Sequence, residues 1–118
     1  MSIISLENAS HYQWGTQCDG WRLHNSTQLA IIEERMPPNS SEIRHAHAHA
    51  TQFFYILLGD ATMDLEVEGQ TITHQLTKHE GITIEPKQAH RIHNQSAAEL
   101  VFLVISSPPT DQDRINDP

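Results

Sequence analysis

The chain has little positive charge and almost no cysteine. Seven lysines and arginines stand against fifteen aspartates and glutamates, which leaves a net charge of −8. A surface that binds nucleic acid needs basic residues to neutralise phosphates, and anionic membranes attract basic segments, so we expect neither partner. The single cysteine, Cys18, cannot form an internal disulfide, and this usage is typical of a reducing compartment.

Long hydrophobic runs are missing as well. No stretch approaches the roughly 18 apolar residues that a membrane-spanning helix needs. The N-terminal residues MSIISLENASHY have neither the basic nor the apolar region of a signal peptide. We therefore expect a cytoplasmic protein. A chain of 118 residues is long enough for one domain and too short for two ordinary cores.

The sequence has no clear amphipathic helical period. It consists instead of short runs of strand-forming residues separated by turn residues. The pattern predicts strands over 29–36, 42–49, 52–58, 61–67, 71–76, 81–85, 90–94 and 100–106. Strands spaced in this way are typical of a sandwich or a barrel. We divide the chain into an N-terminal segment (1–28) that packs on the barrel or on a partner subunit, a barrel (29–106) and a loose, polar C-terminal tail (107–118).

Histidine is the residue that the composition has in excess, with nine in 118 residues. His45 and His47 are separated by one residue in a predicted strand, so both imidazoles lie on the same face. Two imidazoles about 7 Å apart along a strand converge on one metal ion only if the strand is strongly curved, as in a small barrel. An isolated pair of this kind can also simply line a solvated strand.

The residues that follow extend the pattern into two motifs. Four residues separate His47 from Gln52, and six more separate Gln52 from Gly59. A second segment, GITIEPKQAHRIHN, supplies a proline, a histidine and an asparagine: Pro86, His90 and Asn94. Over roughly residues 29–106 this arrangement resembles the cupin family. It departs from the family in lacking the glycine after the proline, and in having Gln52 where most related metal cupins have glutamate.

The resemblance implies an all-β fold, the double-stranded β-helix or jelly-roll barrel. It also implies one divalent transition metal per chain (zinc, iron, manganese or nickel), with His45, His47, Gln52 and His90 as its ligands. Glutamine offers a carbonyl oxygen but no charge, so the ion would keep its full positive charge. Alternatively, Gln52 has lost the ligand role and fills the mouth of the barrel.

Two classes of function are compatible with such a barrel. In the first, a small carbonyl or hydroxy-acid metabolite chelates the metal and undergoes a dioxygenase, isomerase or lyase reaction. In the second, a non-catalytic module binds or senses a small metabolite. A general acid or base near the metal would favour the enzyme, and the sequence shows no obvious inward Asp, Glu or Tyr near the mouth. His49 is expected to be solvated and His74 to be a hydrogen-bonded core residue, although each could also serve the site.

Two predicted strands are apolar on both faces, which indicates a partner surface. In 52–58 and 100–106 the outward-pointing residues are as apolar as the inward-pointing ones. Such strands are normally covered on both faces, and only the N-terminal segment is available to cover them. The commonest closed assembly is a two-fold dimer, and cupins often pair in this way. We therefore expect a homodimer through the outer face of the sheet.

Overall fold

The computed structural model describes residues 3–116 and Pro118 and consists of β-strands joined by turns. Residues 1, 2 and 117 belong to the predicted N-terminal segment and C-terminal tail and lie outside the described residues. Within the described part the strands are β1 (Ser10–Trp14), β2 (Cys18–Asn25), β3 (Ala30–Met36), β4 (Ser40–Ser41), β5 (His45–His47), β6 (Thr51–Leu58), β7 (Ala61–Val67), β8 (Gln70–Leu76), β9 (Gly81–Ile84), β10 (His90–Asn94), β11 (Leu100–Ser107) and β12 (Arg114–Asn116). The described residues contain no helix that is long and apolar enough to cross a membrane.

The strands form two antiparallel sheets that enclose the core. The first has the order β1-β2-β3-β11-β6-β9, and the second has the order β12-β5-β10-β7-β8, with β4 also paired to β10. Strands that are neighbours in a sheet are often far apart in sequence, as with β3 and β11. This topology is that of the predicted double-stranded β-helix, an all-β jelly roll.

The core is built by side chains that alternate along the strands. Leu100, Phe102 and Val104 of β11 are buried, whereas the residues between them are half-buried on the outer face. Met63 and Ile92 of the second sheet belong to the same apolar cluster. Each such side chain stabilises the fold by roughly 1.5–3 kcal/mol when fully buried. The apolar strands therefore supply the core of the barrel.

Two residues of the sequence motifs have structural roles. Gly59 follows β6 with a φ of 85°, and a Cβ atom there would lie 2.4 Å from the carbonyl oxygen of Glu99. The side chain of Asn94 is completely buried. Its Nδ2 atom donates hydrogen bonds to three backbone oxygens, those of Met36, Pro37 and Ala98. Both motif residues thus fix loops at the ends of strands.

The two terminal segments join the sheets. β1 pairs with β2, and β2 pairs with β3, so the N-terminal segment continues the first sheet at its edge. The C-terminal segment differs from the expected loose tail, because β12 pairs with β5 at three positions and Asp113 is buried. The strand could not be predicted from the polar sequence of this segment, because backbone hydrogen bonds and one carboxylate hold the segment in place rather than apolar side chains.

The predicted alternation of β6 holds over most of the strand. Gln52, Phe54 and Ile56 point inward and are buried, as expected. Strict alternation from Gln52 predicts that Leu58 also points inward, but it is 50% exposed. The reason is a shift in register between β6 and β11 beside this residue, which reverses the direction of the side chains.

The outer face of β6 and β11 generates a prediction about assembly. Phe53 lies on this face, is 37% exposed, and stacks on Tyr55 with 6.3 Å between ring centroids. Because an exposed apolar patch of this kind favours a partner surface, we expect a homodimer mass by light scattering at micromolar concentration. Phe53→Glu should give a monomer, whereas Ile72→Glu, at an exposed apolar position of the other sheet, should leave the dimer intact. A monomeric wild-type protein would contradict the prediction.

Candidate metal centre

Three of the predicted ligands lie together inside the barrel. His45 and His47 are on β5, and His90 is on β10, which pairs with β5 at the position of His45. Their potential ligand atoms all lie within 4.8 Å of one another, and all three side chains are buried. The pairing of β5 with β10 thus brings a local pair and a distant third histidine to one place.

Each of the three imidazoles uses its Nδ1 atom in a hydrogen bond to an oxygen. His45 bonds to the backbone oxygen of Ile43 at 2.8 Å, and His90 bonds to the backbone oxygen of Gln88 at 3.1 Å. His47 bonds to a side chain instead, at 2.8 Å from Oδ1 of Asp113. Carbonyl and carboxylate oxygens only accept, so Nδ1 of each ring carries the proton. Every Nε2 atom is therefore left with a free lone pair, which is the state that binds a metal.

Burial keeps the three imidazoles neutral. It is the main cause that lowers the pKa of His45 to about 3 and the pKa of His90 to about 4. Burial also lowers the pKa of His47, and the neighbouring Asp113 carboxylate offsets part of this effect. At neutral pH all three rings can therefore accept a metal ion without first losing a proton.

Two buried polar atoms of the site have no hydrogen-bond partner among the described residues: Oε1 of Gln52 and Nε2 of His90. The amide of Gln52 donates from Nε2 to the Ser106 hydroxyl at 3.1 Å, which leaves its carbonyl oxygen as the free end. An unpaired buried acceptor costs about 1–3 kcal/mol. A divalent transition metal would satisfy both atoms, so this donor set of three imidazole nitrogens and one amide oxygen fits such an ion.

A cavity of about 260 Å³ adjoins this group and is lined by His45, His47 and Gln52. Two arginines, Arg22 and Arg114, also line it. The guanidinium of Arg22 lies 4.3 Å from the centroid of the Tyr12 ring, which fixes its position. The cavity therefore offers room for a small molecule beside the histidines, and its wall carries two guanidinium groups.

The cavity is also lined by acids and a tyrosine that the sequence analysis did not find: Tyr12, Glu34 and Glu42. The sequence shows no obvious inward Asp, Glu or Tyr near the mouth, whereas the structure places these three residues around the cavity. Glu34 has a recognisable signal, because strict alternation from buried Ala30 to buried Met36 places it on the inner face of β3. Tyr12 has no comparable signal, since it lies in a segment whose strands could not be assigned from sequence.

The environment changes the acidity of these groups. Burial raises the pKa of Glu34 to about 7 and the pKa of Glu42 to about 8. The Tyr12 hydroxyl donates a hydrogen bond to Oε2 of Glu34 at 2.7 Å. Burial, together with the Glu34 charge, raises the pKa of Tyr12 well above its usual range, so this hydroxyl stays protonated. Glu34 can therefore exchange a proton near neutral pH while Tyr12 holds its carboxylate in place.

Two further histidines lie outside the histidine group. His49 is exposed, and only its backbone N–H takes part in the site, by donating to Oδ2 of Asp113 at 3.1 Å. His74 is half-buried on β8. Asp113 itself was not identified from sequence, because it lies in the segment that was expected to be a loose tail.

Comparison with known proteins identifies one relative in sequence and many similar structures. An uncharacterised protein of Methanocaldococcus jannaschii is 29% identical over 87 residues, which are 74% of this chain and 66% of that protein, just under two thirds of its length. The polyketide cyclase RemF of Streptomyces resistomycificus has a TM-score of 0.80 at 17% identity, over 100% of this chain and 86% of that one. Oxalate decarboxylase of Bacillus subtilis has a TM-score of 0.82 at 15% identity, over 97% of this chain and 31% of that one. At these identities the two enzyme structures show a shared fold alone.

The family assignment rests on the sequence itself. Residues 32–106 match the family described as "Cupin domain", and this match covers more than half of the chain. It includes both motifs and all four candidate ligands. The chain therefore belongs to the cupin family.

Proposed function

We propose that this protein is a metal-dependent enzyme that acts on a small carbonyl or hydroxy-acid metabolite. Its metal ligands would be Nε2 of His45, His47 and His90 and Oε1 of Gln52, and zinc, iron, manganese or nickel would suit them. The observation that carries the proposal is the pair of buried, unpartnered atoms, on Gln52 and His90, beside two more neutral imidazoles. When bound there, the ion would polarise a carbonyl or hydroxyl oxygen of the substrate.

The charge of the site favours an anionic or oxygen-rich substrate. The four proposed ligands are neutral, so they would leave the charge of a divalent ion uncompensated. Arg22 and Arg114 line the same cavity, together with three acidic residues, and their guanidinium groups can donate hydrogen bonds to a carboxylate. A small molecule with a carboxylate and a neighbouring oxygen could bind both the uncompensated ion and the arginines.

The position of Glu34 favours an enzyme over a module that only binds. Its carboxyl group lines the cavity together with the histidines and is oriented by the Tyr12 hydroxyl. A carboxyl group held by a hydrogen bond in such a cavity can take a proton from a substrate and return it at another atom. Such a step is typical of isomerase and lyase reactions, which we therefore favour over a dioxygenase reaction. Non-catalytic binding of a metabolite remains the second candidate.

Metal content tests the ligand assignment. Wild-type protein purified without added metal should contain about one divalent transition metal per chain by elemental analysis. His45→Ala combined with His47→Ala should remove the metal, and the circular dichroism of the barrel should persist because apolar strands supply the core. The control is His49→Ala, whose exposed side chain lies outside the group. Full metal retention in the double variant would refute the assignment.

The charge-changing variant Gln52→Glu tests the fourth ligand. A carboxylate in place of the amide oxygen should tighten metal binding, because it adds a negative charge to a shell of neutral donors. The same variant without metal should be less stable than wild type at neutral pH, since an ionised carboxylate would be buried. Competition with a chelator and urea unfolding measure the two effects. Weaker metal binding by Gln52→Glu would show that Gln52 does not contact the ion.

A search for turnover tests the reaction class. Metal-loaded protein should exchange hydrogen for deuterium at carbon next to the carbonyl or hydroxyl group of a 2-oxo or 2-hydroxy acid in D₂O, as followed by proton NMR. Glu34→Gln should lose this exchange, while Glu7→Gln, an exposed position, should keep it. Oxygen uptake without exchange would reassign the protein as a dioxygenase. A tightly co-purifying metabolite with no turnover would favour the binding module.

The pKa of Glu34 predicts how stability depends on pH. Its pKa is raised in the folded protein from an ordinary 4.5 to about 7, so the folded state binds the proton more tightly than the unfolded state. The contribution of Glu34 to stability should therefore fall as pH rises from about 4.5 to about 7. The buried histidines, whose pKa values are lowered, contribute in the opposite direction over the same range, so the prediction concerns the difference between wild type and a Glu34 variant. Glu34→Gln cannot ionise and should be about 3 kcal/mol more stable than wild type at pH ~8, with little difference at pH ~5.

Urea unfolding of chelator-treated protein, followed by tryptophan fluorescence at several pH values, measures this difference. Glu42, whose pKa is raised, and the buried histidines, whose pKa values are lowered, titrate in both proteins, so the difference between the two curves is the quantity to compare. Glu7→Gln serves as the matched control and should follow wild type throughout. Parallel curves for Glu34→Gln and wild type would show that Glu34 titrates normally.

A further inference from the structure

The carboxylate of Asp113 joins the C-terminal segment to the strand that carries two candidate ligands. It is only 6% exposed. Oδ1 accepts a hydrogen bond from Nδ1 of His47 at 2.8 Å, and Oδ2 accepts from the backbone N–H groups of His49 and Ala50 at 3.1 and 3.0 Å. One buried side chain thus binds both the imidazole and the turn that follows it.

The backbone around Asp113 strengthens this connection. Its carbonyl oxygen accepts from the N–H of Ala48 at 2.8 Å. β12 then pairs with β5 at three positions, whereas β10 pairs with β5 at the single position of His45 and His90. The position of the ligand-bearing strand therefore depends more on the C-terminal strand than on the strand that carries His90.

The three imidazoles differ in what holds them. Nδ1 of His45 and of His90 donates to a backbone oxygen two residues earlier in its own segment. Nδ1 of His47 donates instead to a side chain 66 residues away. A carboxylate on the far nitrogen of a metal-bound histidine fixes the tautomer and the direction of the ring, and its loss typically weakens metal binding about 10–100-fold.

We propose that Asp113 is a positioning residue for His47, and that metal binding is coupled to docking of the C-terminal segment over 108–116. This inference rests on the metal site proposed above. The segment also supplies one wall of the cavity, through Pro109, Thr110, Asp111 and Arg114. Because coupling is reciprocal, a metal ion bound to the histidines stabilises docking of the segment, and undocking of the segment lowers the affinity for the metal ion. The substrate pocket is therefore complete only when the C-terminal segment is docked.

Metal affinity is the first test, with Co²⁺ and Zn²⁺ as probes and a chelator as competitor. Asp113→Asn replaces two accepting oxygens by one oxygen and one donating NH₂ group, so it cannot serve both His47 and the two backbone N–H groups. It should bind both ions about 10–100-fold more weakly and change the visible absorption spectrum of bound Co²⁺. Asp60→Asn makes the same change of charge at an exposed turn and should match wild type.

Two further measurements separate positioning from a general loss of structure. In metal-free wild-type protein, the ¹⁵N NMR shifts of His47 should show the proton on Nδ1, and in Asp113→Asn they should show a mixture of tautomers. Zn²⁺ should slow amide hydrogen exchange in β12 and at Ala48 and Ala50 of wild-type protein, and this slowing should be lost in the variant. The tautomer measurement in wild type needs no variant, so it holds even if Asp113→Asn folds poorly.

The outcomes distinguish the inference from the metal site on which it rests. If wild-type protein binds neither ion, the metal site is refuted and the coupling with it. If wild type binds the ions and Asp113→Asn binds them as tightly, with the same Co²⁺ spectrum, the inference alone is overturned. It is also overturned if His47 carries its proton on Nε2, or if Zn²⁺ leaves amide exchange in β12 unchanged.

Discussion

The candidate metal centre depends on burying three imidazoles side by side without placing a charge among them. This is possible because every Nδ1 proton has an oxygen acceptor, so each ring is neutral and its Nε2 lone pair is free. The same poorly solvated interior raises the pKa values of Glu34 and Glu42 while it lowers those of the histidines. One environment thus keeps the ligands unprotonated and retains protons on the neighbouring acids near neutral pH.

The parts of the molecule that follow from local sequence were predictable. Alternation of side chains along a strand places His45 and His47 on one face whatever the rest of the chain does. The strands over 61–67 and 90–94 have the bounds that their turn residues indicate. His90 was found only through the resemblance of the two motifs to those of cupins, because its contact with β5 joins residues that are distant in sequence. Alternation alone indicated a sandwich or a barrel, and the resemblance implied the particular fold and the candidate ligands.

The residues that were missed make contacts across long stretches of chain. Tyr12 reaches Glu34 across 22 residues, and Asp113 reaches His47 across 66 residues. Such pairs leave no periodic signal, and a buried carboxylate looks like a surface residue in a polar sequence. Leu58 shows that even a local pattern can mislead. Strict alternation predicts that its side chain points inward, but a shift in register beside it reverses that direction. Sequence patterns describe a regular strand and cannot show where it is interrupted.

The hydrogen bond between Gln52 and Ser106 has a consequence for how this barrel can vary. An amide has two unlike ends, and the Ser106 hydroxyl accepts from the nitrogen, so the oxygen is the end left without a hydrogen-bond partner. A carboxylate has two equivalent oxygens and needs no such orientation. Position 106 should therefore be restricted to hydrogen-bonding residues in chains with glutamine at position 52, and free to vary in chains with glutamate. Two residues on adjacent strands would in this way change together during evolution, although only Gln52 is proposed as a ligand.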